Sequence, residues 1–467
     1  MLRRLCTIAC LAVLSSTSAP GADPKPKFSV PVSYYKLPNG LRVVLSEDHT
    51  APTVVVAVYY NIGFRNEPRD RTGFAHLFEH MMFQGSNNLG KMEFIRLVQE
   101  NGGQLNGSTR FDYTNYFEVV PAHKLETMLW AEADRMRGLA ITQENLKNQQ
   151  GVVTNEVKVN VLNSPYGGFP WLDMPQVANT NWYNAHNFYG DLQDLEAATL
   201  NDVSKFFKTF YSPNNAVVTV VGDFDPAAAR KMIEKYFGGI QRSQLPKPPD
   251  LTEPRQTEEK RTTKEYPNAK QPALGFAYHV PERNTPEWYA MGLIDQMLAQ
   301  GNDSLLTLEL ARKRGYTENV NAGINYGLGN QFNYNGPMLY IVDLIHDASV
   351  NPDQILKATD SVIDSLAAKP VDKALLDRAL VKWRSQFYSE LRQFGGFGTA
   401  DLLSSFALFE DNPSRINTLE DEFRKVTPEL IQKTAKEYLR RSNRTVLVAV
   451  PPKAQTNANP TGTEKAQ

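Results

Sequence analysis

Within the apolar run GFAHLFEHMMF, residues 73–83, stand two histidines and a glutamate: His76, Glu79 and His80. No other stretch restricts the fold as much. Three polar groups are set among Phe74, Leu77, Phe78, Met81, Met82 and Phe83, a pattern that predicts a buried helix. A polar group buried there without a partner costs on the order of 2 kcal/mol. In a helix, residues four apart share a face, so His76 and His80 point the same way, as two imidazoles closing on one cation must. Glu79 lies roughly 60° off that direction at 3.6 residues per turn, able to reach a water on the metal without being forced to ligate it. The order H-x-x-E-H inverts the commoner H-E-x-x-H and is a catalytic zinc pattern. Zinc lowers the pKa of its water to about 7, and a carboxylate alongside takes the proton.

Both cysteines, Cys6 and Cys10, fall in the first ten residues. Beyond them the chain has no thiolate for a metal, a disulfide or a nucleophile. Structural zinc sites fill four protein positions and favour cysteine, so the composition favours a catalytic ion, with structural zinc the alternative. A third ligand has to come from elsewhere. Glu132 and Asp134 on one expected helix, and Glu144 and Glu156 on the next, are the candidates. Glu156, in GVVTNEVKVN, stands in a valine-lined helix where an unpaired carboxylate is unfavourable.

MLRR, then LCTIACLAVL, then SSTSAPGAD reads as a secretory signal over 1–22, cut after Gly21 or Ala22. Its apolar core is about 10 residues long, half the length of a membrane anchor. Export is therefore expected, to the periplasm or, as the alternative, outside the cell, with no stable membrane insertion. A formal charge of −1 argues against a nucleic-acid partner.

At 467 residues the chain is expected to form two or three domains. The pattern divides it into an αβ domain over 28–240, a proline- and charge-rich linker over 241–268, a second αβ domain over 269–452 and a disordered polar tail over 453–467. PNG at 38–40 predicts a hairpin turn, QLNGSTRFDYTNYFEVVP is expected to be extended, and TQENLKNQQGVVTNEVKVNVL helical. VSKFFKTFYSPNNAVVTVVG (203–222) echoes IQKTAKEYLRRSNRTVLVAV (431–450). Tyr211 pairs with Tyr438 and Asn215 with Asn443, at separations of 227 and 228 residues. The expected fold class is α+β, two homologous αβ domains that are each a mainly antiparallel sheet packed with helices.

Together, GFAHLFEHMMFQGS, GGQLNGSTRFDYTNYFEV and NQQGVVTNEVKVNVLNSPYG resemble the pitrilysin/insulinase metallopeptidases, which include mitochondrial processing peptidase. The likeness runs over 30–452. It implies a zinc endopeptidase acting on unfolded peptides, with one Zn2+ per chain on His76, His80 and Glu156, the last 76 residues past His80. Glu79 takes the role of general base. An acid common in the family seven residues before the ligand glutamate is here Gln149, an amide that can hydrogen-bond near the site but carries no charge. The run from Asn106 to Phe117 is implied to be an exposed strand beside the metal, with Asn106 and Tyr116 binding substrate. Strand packing is the plainer reading of Tyr113 and Tyr116.

Family members work as two such halves across a chamber, and the opposing half supplies an Arg and a Tyr seven apart around KRG. Alignment on Lys313-Arg314-Gly315 puts Ala311 and Glu318 at those places, and Tyr316 is out of register. The second half is therefore expected to be non-catalytic. A paralogous partner of the same fold, in a heterodimer, is expected to carry the pair; a homodimer is the lesser alternative. The competing class of function is a non-catalytic scaffold or peptide-binding subunit. His49, His123, His186, His279 and His346 are isolated and read as structural or surface residues.

Overall fold

The strand β3 (Thr53–Tyr60), TVVVAVYY, shows no alternation of polar and apolar residues, and seven of its eight side chains are buried. A strand reads this way when both faces of its sheet are covered. The computed structural model, which describes residues 28–452, shows what covers them; the expected signal and tail lie outside the described residues. β3 sits inside a six-stranded sheet with β1 (Ser33–Lys36), β2 (Arg42–Glu47), β4 (Gln104–Thr109), β5 (Thr114–Pro121) and β6 (Ala216–Gly222), in the order β1-β2-β6-β3-β5-β4. Val54, Val56, Val58 and Tyr60 face one core with the first half's helices. Val55, Ala57 and Tyr59 face a second core shared with the other half of the chain.

A five-stranded sheet follows from β7 (Lys260–Glu265), β8 (Ala273–His279), β9 (Asn321–Ile324), β10 (Leu339–Ile345) and β11 (Arg444–Val450), in the order β7-β11-β8-β10-β9. Its first pair is parallel and the rest antiparallel, the same sequence of pairings that runs from β2 to β4. The fold is α+β and internally repeated. Asn215 Nδ2 donates to the Phe210 carbonyl at 2.9 Å and Asn443 Nδ2 to that of Tyr438 at 2.7 Å, each tying a helix end to the following strand. These bonds correct one detail of the repeat. Tyr438 is the counterpart of Phe210, not of Tyr211, because the two helices, Leu200–Phe210 and Pro428–Tyr438, both end at the residue bonded by the asparagine.

The segment expected to be a linker is not all linker. Lys260–Glu265 pairs in parallel with β11, and its KRTTKE sequence is polar because it forms an exposed edge. Nor do the halves keep to themselves. The helix Phe397–Glu410, from the second half, packs against β2, β3 and β6 of the first sheet. Tyr59 donates to Asp401 Oδ1 at 2.7 Å, Ser404 Oγ to Thr219 Oγ1 at 2.7 Å, and the Phe397 ring stacks on Phe117. The helix is buried along most of its length because it lies between the first sheet and the helices of the second half. Among the described residues no helix is long and apolar enough to cross a membrane.

Because this helix of the second half builds the core that the first sheet shares with it, the halves are expected to unfold together. Leu403→Ala should cost about 2–5 kcal/mol and lower one shared transition. Urea melts followed by tryptophan fluorescence and by far-ultraviolet dichroism check this: coincident midpoints are expected, and two separate transitions would contradict it.

Candidate metal centre

The helix Phe74–Met81 starts at Gly73, whose φ of 80° is a left-handed conformation. A Cβ there would lie 2.4 Å from the Tyr189 carbonyl oxygen, so glycine is required. The first amides of the helix are taken by a carboxylate that sequence reading passed over. Glu67, fully buried, accepts from Gly73 N at 2.9 Å and from Ala75 N at 2.5 Å. A helix N-terminus carries partial positive charge, which suits an anion. His186 Nε2 stands 3.7 Å from Glu67, and its ring stacks on Trp182. Burial pushes the Glu67 carboxyl up; His186 and the two amides pull against it. The only signal in the sequence was a glutamate six residues before the glycine that opens the helix. The second face of the site comes from the helix Gln143–Val157, begun by Thr142 accepting from Asn145 N, which runs on into the π turn Lys158–Leu162.

These two helices bring His76, His80 and Glu156 together, with one ligand atom of each lying within 4.8 Å of the others. His76 Nε2 and His80 Nε2 are 3.3 Å apart, Glu156 Oε1 is 3.6 Å from the first and Oε2 is 3.2 Å from the second. Tyr189 donates to Glu156 Oε1 at 3.2 Å. Burial, helped by neighbouring His80 and opposed by Glu156, pushes the His76 pKa down to about 4, which keeps the imidazole neutral. Burial works against charge on Glu156 as well, but the hydrogen bond to His80, then His76 and Tyr189, outweigh it and hold the carboxyl below its usual range. Glu79 lies beside this cluster, its Cγ 3.3 Å from where a Cβ on Gly107 of β4 would stand. Burial pushes its carboxyl up, while Thr109, His80 and Arg110 favour the ionised form. A cleft of about 280 Å³ opens over these groups, with Trp171 and Tyr189 on one wall and Gly327 and Leu328 of the second half on another.

The remaining candidates are placed elsewhere. Glu132 pairs with Arg135 in the core, Asp134 accepts from Ser86 and from the Asn88 amide, and Glu144 is exposed. Gln149 is buried two turns before Glu156, and its amide donates to Asn148 Oδ1 rather than to any group of the cluster. Asn106 is exposed on β4, the edge of its sheet. The run from Asn106 to Phe117 is not one exposed strand but a hairpin, in which β5 is covered on both sides by β3 and β4. The substrate-binding reading of Tyr116 is corrected accordingly. This residue is 0% exposed, and its hydroxyl donates to the Phe78 carbonyl at 3.0 Å and lies 3.1 Å from that of Tyr211, so it packs beneath the histidine helix.

Against known families, the model described as insulinase (peptidase family M16) matches residues 42–165, and the one described as peptidase M16 inactive domain matches 197–381. The zinc protease PqqE of Helicobacter pylori is 25% identical over 423 residues, 89% of this chain and 92% of that protein. Mitochondrial-processing peptidase subunit beta of Caenorhabditis elegans is 25% identical over 218 residues, 47% of each chain. Among solved structures, a protease from Helicobacter pylori superposes with a TM-score of 0.83 at 23% identity, over 90% of this chain and 100% of that one. The periplasmic protease PqqL from Escherichia coli gives 0.70 at 15% identity, over 90% of this chain and 47% of that one.

The electrostatics of the cluster give a pH dependence. Unfolded, His76 takes up a proton near pH 6.5; folded, only near 4, so the unfolded chain binds more protons below 6.5. In chelator-containing buffer, stability should fall as pH drops from 6.5 towards 4, with His76 contributing on the order of 3 kcal/mol. His76→Leu should flatten that part of the curve in urea melts across the window; an unchanged slope would contradict the burial argument.

Proposed function

We propose, from the premise that the chain belongs to the insulinase family of peptidases, M16, that it is a zinc-dependent endopeptidase subunit cutting unfolded peptides. One observation carries this reading. Tetrahedral zinc with bonds of about 2.0–2.2 Å separates its donor atoms by about 3.3–3.6 Å. His76 Nε2 and His80 Nε2 are 3.3 Å apart, and Glu156 turns one oxygen to each, Oε1 at 3.6 Å from the first and Oε2 at 3.2 Å from the second. With one donor atom of each residue within 4.8 Å of the others, the residues present can close on the ion. Two imidazoles and one carboxylate are also the donor set of a catalytic site, which keeps a fourth position open. When bound, zinc supplies Lewis acidity, polarising a peptide carbonyl and making water more acidic.

The chain's own residues do the rest. Glu79 is close to the cluster but is not needed as a ligand. Burial raises its proton affinity, which fits a group that takes a proton from the attacking water and passes it to the leaving amine. Strand β4 has a free edge, where an extended peptide gains main-chain hydrogen bonds. Gly107, lacking a side chain, lets that backbone run against Glu79, and Asn106 stands exposed on the same strand. The second half offers no equivalent Arg/Tyr pair. Ala311 and Glu318 occupy those places, and Arg314 is engaged by Glu309, which supports a partner subunit of the same fold. The leader-like N-terminus supports export, and one structural neighbour is named a periplasmic protease.

Glu79→Gln should retain about one zinc per chain and lose hydrolysis of unfolded peptides by at least about a hundredfold; Glu156→Ala should lose the metal itself. Metal analysis paired with a casein-peptide assay reads both, and a zinc-loaded Glu79→Gln protein that still cuts would contradict the assignment. Adding a paralogue that bears the Arg/Tyr pair should raise kcat/KM about tenfold or more. Equal rates with and without it would remove the partner from the account.

A further inference from the structure

Arg110 follows the last residue of β4 and, among the described residues, is the one lysine or arginine lining the cleft. Its backbone is fixed at both ends: its N–H donates to the Tyr113 carbonyl at 2.8 Å, and its carbonyl accepts from Phe64 N at 3.2 Å. The side chain is half-buried; it meets the Tyr113 hydroxyl and is felt at longer range by the carboxylates of Glu79 and Asp401, but among the described residues no carboxylate oxygen comes within 4 Å of it. The buried arginines of the same half, Arg65 and Arg135, each have such a partner. A half-buried guanidinium that faces the cleft with no carboxylate in ion-pair contact has its planar fork open to one more anion, and that fork matches a carboxylate.

We infer that Arg110 sets specificity, binding a carboxylate of the peptide a few residues from the scissile bond. This rests on the peptidase reading and names its substrate class. The spacing suits it. Gly107 lies against Glu79, and three residues of strand span about 10 Å, so a peptide on the β4 edge with its scissile bond at Glu79 brings a residue two or three positions away to Arg110. The carboxylate is that of an Asp or Glu side chain or of the peptide's own C-terminus.

Zinc-loaded Glu79→Gln protein tests this by binding, without turnover. The probes are fluorescein-labelled Ala/Gly decapeptides carrying a single Glu, Gln or Lys at successive positions, amidated or with a free C-terminus, read by anisotropy. Glu should bind about five- to tenfold tighter than Gln at one position, an advantage that shrinks in high salt. Arg110→Met should erase it and Arg110→Glu turn it towards Lys. If only the free-acid peptides gain, and Arg110→Glu removes that gain, the carboxylate is the terminal one. The same Glu-to-Gln ratio is expected in kcat/KM of the unsubstituted protein. Equal binding of all probes, no binding of any, or a preference that survives Arg110→Glu overturns the inference. A protein that binds with this preference but never cuts would sink the peptidase reading and leave Arg110 in its role.

Discussion

Everything in this molecule that bears on chemistry depends on the meeting of Glu156 with a pair of imidazoles on another helix. The three side chains come from positions 76, 80 and 156, so local sequence alone cannot hold the contact. It is held by two helices whose ends are both fixed. Glu67 caps the first through its amides, and the carbonyl of Phe78 receives the Tyr116 hydroxyl from the sheet below. The second helix is started by Thr142 and passes into a π turn just after Glu156. Such turns gather at functional sites because they re-aim the side chains beside them.

Duplication explains the rest of the architecture, and it also shows why the candidate metal ligands gather in one half. In chain order the helix Pro286–Leu298 follows β8 as the histidine helix follows β3, and it packs on the helix Lys373–Leu391 as the histidine helix packs on the one bearing Glu156. Between the second pair, Gln296 Nε2 donates to Gln386 Oε1 at 3.0 Å, where the first pair sets His80 against Glu156. Two amides satisfy one another and give zinc neither imidazole nor charge. The second half still serves the first: its loop at Gly327 and Leu328 walls the cleft, and the helix Phe397–Glu410 covers the back of the first sheet.

What the sequence revealed follows how local each signal is. The histidine helix was legible because a spacing of four residues in an apolar run leaves one geometry. The repeat was legible in broad outline and misaligned by one residue at Tyr438, since periodicity weighs a tyrosine more readily than a hydrogen bond from Asn443. Strand β7 was hidden because an edge strand with an exposed side chain at nearly every position looks like linker. Tyr116 was assigned to the wrong surface because alternation along β5 does not say which face lies beneath a helix. Glu67 was missed for the plainest reason: capping a helix from six residues upstream is a contact in space with no fixed spacing.

X-ray absorption at the zinc edge on the protein as purified tests the central claim most directly. Two imidazole nitrogens and at least one oxygen at about 2.0–2.2 Å, in four-coordinate geometry, are the predicted result. A spectrum of zinc surrounded by six oxygens, or with no imidazole scattering, would show that the meeting of His76, His80 and Glu156 is not a metal site.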